Sequence, residues 1–330
     1  MSESESQTGA RGTPAPAGTP AEAQLAPAVL MIRPARFMSN PQTLTSNAFQ
    51  TVPDLAPAEL QARALAEFDG VVTALENAGV RTCVFPDTNE PHTPDAIFPN
   101  NWVSFHADGR VVLYPMEAEN RRTERRTDIV ERLEREHGFH VSEIVDLAWH
   151  EQDGNFLEGT GSLVLDRANR IAYACLSSRT QLDALGDFAQ RLDYDVVAFD
   201  AVDRHGLPIY HTNVLMMVGE KLAVVCAEAI PDARQRAAVL ESLAASGHEV
   251  LTIGFDELEH FAGNMLELRG RGGRRVVAMS QQAYDALNEE QRERLRANGD
   301  VVTAAIDTIE SSAGGSVRCM LAEIHLPGKA

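Results

Sequence analysis

Apolar and polar positions along the chain repeat in a fixed order, which predicts one structural unit several times over. Each unit has two short strands joined as a hairpin, then an amphipathic helix, then a third strand. Four complete units are predicted, with first strands that begin near residues 101, 161, 213 and 264. Near-constant spacing is typical of repeat folds in which equal modules pack side by side.

A fifth unit is incomplete at the C-terminal end, where the pattern predicts a single strand over 316–326. Its other parts are predicted near the N-terminal end, as a strand at 28–33, a helix at 57–78 and a strand at 81–85. We therefore predict an α/β fold of the five-module ββαβ propeller type, closed by the N-terminal segment. Residues 28–330 are predicted to form this single catalytic domain.

Two stretches are predicted to contribute nothing to the core. Residues 1–27 are rich in Ser, Glu, Thr, Ala, Pro and Gly, and such a composition cannot bury enough apolar surface to order itself. We predict a disordered, dispensable tail over 1–27. The basic run 121–126 is predicted to lie mostly on the exposed face of a helix over 120–137.

Charge and cysteine usage narrow the function classes. The sequence has 29 basic and 48 acidic residues, a net charge of −19, which argues against nucleic acid and anionic membrane surfaces as partners. The four cysteines are widely spaced, which favours a reducing, cytoplasmic compartment and argues against zinc knuckles. The segment 149–153 lacks the His-Glu-x-x-His spacing of a zinc site, so neither a metal nor another cofactor is expected.

Polar residues cluster just before the predicted first strands. In a closed repeat these positions converge, so Asp95, Glu158, His211 and Cys319 are expected to surround one pocket. A thiolate is a strong nucleophile, an imidazole moves protons, and carboxylates hold planar arrays of N–H donors. The glycines beside Glu158 and Cys319 are expected to let the backbone approach a ligand.

Five motifs at these positions carry a resemblance to a known family. They are Pro94–Trp102, Phe156–Ser162, Ser177–Thr180, Tyr210–Asn213 and Gly314–Met320. In this order they resemble the guanidino-group-modifying enzymes, the pentein superfamily that includes arginine deiminase. The first motif is most similar to the amidinotransferase-like branch called citrulline-utilisation hydrolase. The resemblance covers the chain from about residue 28 onward.

The resemblance implies a role for each residue of the site. Cys319 would attack the guanidino or ureido carbon, while His211 would protonate the leaving amine and then activate water. Asp95 and Glu158 would bind substrate nitrogens, with Glu158 also lying near His211 as a third catalytic residue, and Arg179 would bind the substrate α-carboxylate. The remaining substrate-binding candidates, at the same phase of the repeat, are Asn100, Asn213 and Asn264.

One departure from the family bears on the charge of the substrate. Many arginine deiminases carry an aspartate two residues after the histidine, where this chain has Asn213. An amide can donate to a ureido oxygen and lacks the charge that would hold a guanidinium ion. Asn213 therefore favours a neutral ureido substrate such as citrulline over an arginine-type substrate.

Three function classes stay open at this point. The leading hypothesis is a hydrolase acting on a small guanidino or ureido substrate, including deiminase-type or dimethylarginine-type hydrolysis. An amidinotransferase would use the same nucleophile with an amine as acceptor. A non-catalytic binding module of the same fold, like the ribosome anti-association factors, would need no such residues. The other three cysteines, in apolar strands, are predicted to be buried packing residues.

Overall fold

The computed structural model describes residues 22–329, and in this part of the chain fifteen strands form five three-stranded sheets. In each sheet the second strand is central, antiparallel to the first and parallel to the third. The strands are, for module 1, Val103–Phe105, Arg110–Leu113 and Glu143–Asp146; for module 2, Val164–Asp166, Ile171–Leu176 and Asp195–Asp200; for module 3, Met216–Val218, Leu222–Val225 and Glu249–Thr252; for module 4, Leu266–Arg269, Arg275–Ser280 and Asp300–Ala304; and for module 5, Ala322–Ile324, Ala28–Arg33 and Arg81–Pro86.

An α-helix or a pair of helices joins the second strand of each module to the third. In module order these helices are Thr127–His137, Leu182–Leu192, Ala233–Ala245, the pair Gln281–Ala286 and Glu289–Asn298, and Pro57–Asn77. Short α-helical segments are Gly159–Ser162, Thr212–Leu215, Phe255–Leu258 and Asp307–Ala313. Short 3-10 helices are Pro99–Asn101, Glu119–Glu124, Ala148–Asp153, Ala227–Ala229, Arg271–Gly273 and Val317–Met320. The predicted fold class is confirmed.

Contacts around the ring close it in the order of the modules. The first strands of modules 5 and 1, of modules 2 and 3, and of modules 3 and 4 contact each other directly. The Gly159–Ser162 turn of module 2 contacts the first strand of module 1, and the Val317–Met320 turn of module 5 contacts the second strand of module 4. The N-terminal strand Ala28–Arg33 lies between the C-terminal strand and Arg81–Pro86, so both chain ends build module 5.

The helices pack on the sheets through the apolar faces that their spacing predicts. In helix Pro57–Asn77 the residues three to four apart on one face are buried: Leu60, Ala64, Phe68, Val71 and Leu75. In module 4 the predicted single helix is divided at Asn288, which caps the second helix in a reciprocal capping box with Gln291. Among residues 22–329, no helix combines the length and the apolar character needed to cross a membrane.

The first strands begin two to six residues later than the sequence pattern predicts. Strand Val103–Phe105 is preceded by the turn Pro99–Asn101, and strand Ala322–Ile324 by the turn Val317–Met320. The Gly, Asn, Ser and Pro residues of these segments favour turns over extended strands. Each module therefore presents its polar motif on a tight turn at the N-terminal end of its first strand.

The structure corrects two other expectations. Residues 22–27 of the predicted tail are packed, with Glu22 and Gln24 buried and hydrogen-bonded, while residues 1–21 lie outside the described part. The helix of module 1 begins at Thr127, and Arg121 of the basic run belongs to the preceding 3-10 helix and is buried. In both places polar side chains are buried because they meet partners distant in sequence.

Candidate active site

One cavity lies where the polar turns of the modules converge. Four predicted residues from different modules line it: Asp95, Arg179, His211 and Cys319. Glu158 lies behind His211 and is completely buried. The structure thus brings the predicted nucleophile, imidazole and carboxylates together from segments up to 224 residues apart in sequence, which is the separation of Asp95 and Cys319.

Cys319 lies on the 3-10 turn Val317–Met320, and its sulfur is surrounded by amide groups. Asn264 Nδ2 is 3.3 Å from Sγ and Asn213 Nδ2 is 3.6 Å from it. A second bond from Asn264 Nδ2 to the carbonyl oxygen of Asn213, 2.9 Å long, fixes the two amides relative to each other. Two side-chain amides therefore contact the nucleophile, and each can donate an N–H to it.

His211 and Glu158 form a buried pair in which Nε2 of the imidazole lies 2.9 Å from Oε2 of the carboxylate. Burial acts to raise the pKa of Glu158, but Arg179, the bond to His211 and Arg121 outweigh it and lower that pKa to about 2. An ionised carboxylate only accepts, so Nε2 carries the proton and Nδ1 has a free lone pair. Burial lowers the pKa of His211 to about 4 despite Glu158, so the ring is neutral at pH 7.

Two glycines of the Gly159–Ser162 turn make room for this arrangement. Gly159 has a φ of +48°, and a side chain there would meet the carbonyl oxygen of Asn100 at 2.2 Å. A side chain at Gly161 would meet Asn101 Nδ2 at 2.4 Å and the His211 ring at 2.8 Å. The expectation that these glycines admit a ligand is corrected, since the space that they leave is filled by protein groups.

Arg121 is a site residue that the sequence pattern missed. Its guanidinium group hydrogen-bonds Glu124 at 3.0 Å and Asn101 Oδ1 at 3.1 Å. It also lies 3.6 Å from Asp95 and 3.7 Å from Glu158. One buried cation therefore links three buried carboxyl groups. Only the neighbouring Glu124 could have been found from the sequence, because the other partners lie in separate motifs.

A loop over 34–56 also contributes groups that the sequence analysis did not identify. Asn40 Nδ2 donates to Asp95 Oδ2 at 2.7 Å, and Asn47 Nδ2 donates to the carbonyl oxygen of Gly314 at 3.1 Å. Burial raises the pKa of Asp95, an effect only partly offset by Arg121 and Asn40. The other carboxylate oxygen, Asp95 Oδ1, is buried without a hydrogen-bond partner among the described residues.

Arg179 is held rigidly beside the His211–Glu158 pair. Its Nη2 donates to Ser46 Oγ at 2.7 Å, and its guanidinium carbon lies 4.9 Å from the centre of the Tyr210 ring. Nη1 lies 3.6 Å from Glu158 and Nε lies 3.4 Å from Glu117. The group is already engaged by protein partners on several sides, so its predicted contact with a substrate carboxylate stays a prediction.

Comparison with known proteins identifies the family. Residues 33–326 match the model of the family N,N dimethylarginine dimethylhydrolase, eukaryotic. The chain belongs to the dimethylarginine dimethylhydrolase family. Among curated protein sequences, none is a significant match.

Solved structures of low sequence identity share the fold of this family member. ArgZ, an arginine dihydrolase from the ornithine–ammonia cycle in cyanobacteria, is 18% identical with a TM-score of 0.69. That match covers 91% of this chain and 41% of ArgZ, so the chain spans less than half of that protein. The N-terminal domain of ArgZ bound to substrate is 19% identical, with a TM-score of 0.68 and coverage of 91% and 99%.

A third structure is a dimethylarginine dimethylaminohydrolase variant in an adduct with S-methyl-L-thiocitrulline. It is 17% identical, has a TM-score of 0.61 and covers 90% of this chain and 99% of its own. These matches show that the five-module ring is the pentein fold. The resemblance to that superfamily is thus supported, while the finer likeness to citrulline-utilisation hydrolases stays a prediction.

The predicted amide residues occupy different positions around the cavity. Asn213 and Asn264 contact the Cys319 sulfur, whereas both polar side-chain atoms of Asn100 are buried without a hydrogen-bond partner in residues 22–329. Its neighbour Asn101, not singled out by the sequence analysis, lines the cavity.

No group of three or more His, Cys, Asp or Glu side chains is arranged to hold a metal ion in the described part of this family member. The expectation of a metal-free enzyme stays a prediction. The other three cysteines are free and completely buried in strands and their ends, as expected for packing residues.

Proposed function

We propose that this chain hydrolyses a C–N bond of the guanidino group of an arginine-type amino acid through a covalent intermediate on Cys319. The observation that carries the proposal is the contact of the Cys319 sulfur with two amide donors, on the same cavity as His211 and Asp95. Membership of the dimethylarginine dimethylhydrolase family supports the same chemistry.

An unpartnered carboxylate oxygen at the cavity favours a cationic substrate. Three buried carboxyl groups, Asp95, Glu124 and Glu158, face two buried guanidinium groups, Arg121 and Arg179. Burial raises the pKa of Glu124 to about 8, so this carboxyl group is mostly protonated at pH 7, and Asp95 Oδ1 makes no hydrogen bond among the described residues. A guanidinium group carries one positive charge and only N–H donors, which is what an unpartnered carboxylate oxygen needs.

The proposed reaction has two halves. In the first, the Cys319 thiolate bonds to the guanidino carbon, the bond from this carbon to a terminal nitrogen breaks, and the nitrogen leaves as an amine or ammonia. His211 passes the thiol proton to that leaving group. In the second half, water adds its oxygen to the same carbon, and His211 takes a proton from the water and passes it to the sulfur as the C–S bond breaks. The products are a ureido group and the free thiol.

His211 suits the proton transfers because of its surroundings. The pKa of about 4 keeps the imidazole neutral at pH 7, so it can accept a proton at Nδ1. The adjacent Glu158 has a pKa of about 2, so it is ionised at pH 7 and stabilises the imidazolium that forms. The bond to Glu158 also fixes the plane of the ring.

A ureido substrate such as citrulline is the second candidate, and a different observation favours it. The groups that contact the nucleophile, Asn213 and Asn264, are both neutral amides. A ureido group offers a carbonyl acceptor as well as N–H donors, and amides match both. Against this, both amides are engaged with the sulfur: Asn213 and Asn264 donate to it through Nδ2, and Asn264 Oδ1 lies 3.7 Å from it.

The test is to incubate the protein separately with arginine, mono- and dimethylarginine, agmatine and citrulline. Ureido product, released amine and ornithine are then measured. We expect turnover of a guanidino compound that carries an α-carboxylate, with one amine or ammonia released for each ureido group formed. Turnover of citrulline alone would favour the second candidate. Turnover only with an added acceptor amine would indicate an amidinotransferase, and no turnover at all would indicate a binding module.

A further inference from the structure

Residues 22–27, here called the N-terminal strap, cross the ring on the face opposite the cavity. Glu22 accepts hydrogen bonds from the backbone amide of Ala107 in module 1 at 3.3 Å and from the Tyr194 hydroxyl in module 2 at 3.0 Å. These contacts lie beyond the C-terminal end of the first strand of module 1 and just before the third strand of module 2. The cavity residues Asp95, His211 and Cys319, in contrast, precede first strands.

The rest of the strap continues around the ring. Gln24 Nε2 donates to the carbonyl oxygens of Leu165 in module 2, at 3.0 Å, and Val218 in module 3, at 2.8 Å. The carbonyl oxygen of Ala26 accepts from the amide of Arg269 in module 4 at 2.9 Å. The chain then enters the central strand of module 5 at Ala28. Six consecutive residues therefore connect all five modules.

A line of buried charges leads from the strap back to the nucleophile. Glu22 Oε1 lies 2.7 Å from Arg167 Nη1, and Arg167 Nε lies 3.6 Å from Glu323 Oε1. The other oxygen of Glu323 lies 2.9 Å from Arg318 Nη2. Each of the four side chains is at most 8% exposed, so solvent screens these interactions weakly.

Arg318 directly precedes Cys319 on the Val317–Met320 turn. Its Nη1 donates to the carbonyl oxygen of Leu321 at 2.9 Å, which ties the end of the turn to the same guanidinium group. The position of that group is fixed by Glu323, whose charge is balanced by both Arg318 and Arg167. A change of charge at Glu22 leaves Arg167 with Glu323 as its remaining carboxylate partner and alters the balance at Arg318.

We propose that Glu22 is a positioning residue for the nucleophile, and that the strap holds the Cys319 turn through Arg167, Glu323 and Arg318. This goes beyond the proposed function, because it assigns a role to an N-terminal segment on the face opposite the substrate. A displacement of about 1 Å caused far from the reacting atoms is enough to cost on the order of 100-fold in rate. The strap therefore influences the position of the Cys319 sulfur without contacting it.

The experiment measures the rate at which iodoacetamide alkylates Cys319 in the full-length chain, followed by mass spectrometry of the peptide that contains it. This readout needs no substrate, so it is independent of the proposed function. Glu22→Gln keeps the shape of the side chain and removes its charge, and we expect alkylation to slow on the order of tenfold. With a substrate that is turned over, kcat should fall while KM stays within about twofold.

Glu289→Gln is the matched control, because Glu289 is an exposed partner of Arg296 and the substitution is chemically the same. It should leave alkylation unchanged. Glu22→Asp, which keeps the charge on a shorter side chain, replaces Glu22→Gln if that variant does not fold, and should slow alkylation several-fold. Variants that melt earlier but alkylate Cys319 at the wild-type rate would overturn the proposal and leave the strap a purely stabilising element.

Discussion

The two ends of the first strands differ in which buried polar groups lack a hydrogen-bond partner. At the end that faces the cavity, neutral amides of Asn100, Asn101 and Asn213 have buried atoms without hydrogen-bond partners among the described residues. At the opposite end, the buried groups are charges in contact with opposite charges, such as Glu22 with Arg167 at 2.7 Å. Arg167 Nε, which makes no hydrogen bond within residues 22–329, lies 3.6 Å from the carboxylate of Glu323.

This difference indicates which buried groups serve ligand binding and which stabilise the fold. An unmade hydrogen bond in a protein interior costs about 1–3 kcal/mol. Asp95 and Asn101 have such atoms and line the cavity, so we expect a ligand to complete them. Paired buried charges are completed by the protein itself and cost most when one partner is removed. Removal of one partner of a buried ion pair should therefore disturb folding at either end, whereas changes to the unpaired amides at the cavity end should mainly disturb chemistry.

Removal of the nucleophile should have the largest effect on the cavity end. Cys319→Ser replaces the thiolate by a hydroxyl group that stays protonated at pH 7, and kcat should fall at least on the order of 1,000-fold. Cys226→Ala is the control, since Cys226 is buried in a strand end away from the cavity, and it should keep kcat within about twofold. Full activity of Cys319→Ser would exclude the proposed intermediate.

The features that were predicted correctly from the sequence all follow from the repeated spacing of apolar and polar residues. The modules follow from hydrophobic periodicity, and the convergence of Glu158, His211 and Cys319 follows from their common phase in the repeat. Hydrophobic periodicity shows which face of a helix or strand is apolar. It does not show which residue a charged side chain will contact.

Arg121 and Glu22 show where that basis fails. Arg121 lies in a strongly basic run typical of an exposed helix, yet it is buried against carboxyl groups from two other motifs. Glu22 lies in a segment of low apolar content, yet it is ordered by Arg167, which is 145 residues away. In both cases the burial is driven by ion pairs between distant residues, which composition and spacing do not reveal.

Substitution of Arg121 should have the second largest effect. Arg121 lies at the cavity but, like the residues around the strap, it is a buried charge in contact with opposite charges. Arg121→Met keeps the length of the side chain and leaves Asp95, Glu124 and Glu158 without their shared cation. The free energy of unfolding should fall by about 3–5 kcal/mol, measured by urea denaturation. Arg132→Met removes an exposed cation paired with Glu136 and should cost less than about 1 kcal/mol. Equal losses in the two variants would contradict the comparison.

The pH profile tests the buried His211–Glu158 pair. The pKa of His211 lies below that of an ordinary histidine, so the neutral base persists as the pH falls until about 4. We expect kcat/KM at pH 5 to stay close to its plateau, where an ordinary histidine would have lost about 30-fold. In the same window the unfolded chain binds a proton that the folded chain does not, so stability should decline as the pH falls from about 6.5 to about 4.

A second buried group could imitate this titration and needs its own control. Burial raises the pKa of Glu310 to about 7, and its carboxyl group accepts a hydrogen bond from Ser316, three residues before Cys319. Glu310→Gln removes that titration while keeping an acceptor for Ser316. An acid limb near pH 6.5 that persists in Glu310→Gln would show that His211 titrates as an ordinary histidine.

Asn213 should have the smallest effect, on the choice between substrates. Asn213→Asp adds a negative charge next to the reacting carbon and removes the N–H that lies 3.6 Å from the Cys319 sulfur. The loss of this donor should lower the rate with every substrate, because a contact with the nucleophile is removed. The added charge acts on a guanidinium ion and not on a neutral ureido group. The ratio of kcat/KM for arginine to that for citrulline should therefore rise about tenfold.

The ratio of kcat/KM for arginine to that for citrulline reports the effect of the added charge only if the effect of losing the Asn213 N–H donor is measured separately. Asn213→Ala also removes the N–H beside the sulfur but adds no charge, so it should slow both substrates and leave their ratio within about twofold of wild type. The buried Asn213 Oδ1, which has no hydrogen-bond partner in residues 22–329, is lost in this variant as well. If Asn213→Ala moves the ratio as far as Asn213→Asp does, the shape of the amide and not its neutrality selects the substrate. If neither variant moves it, discrimination lies with Asp95 and the loop over 34–56.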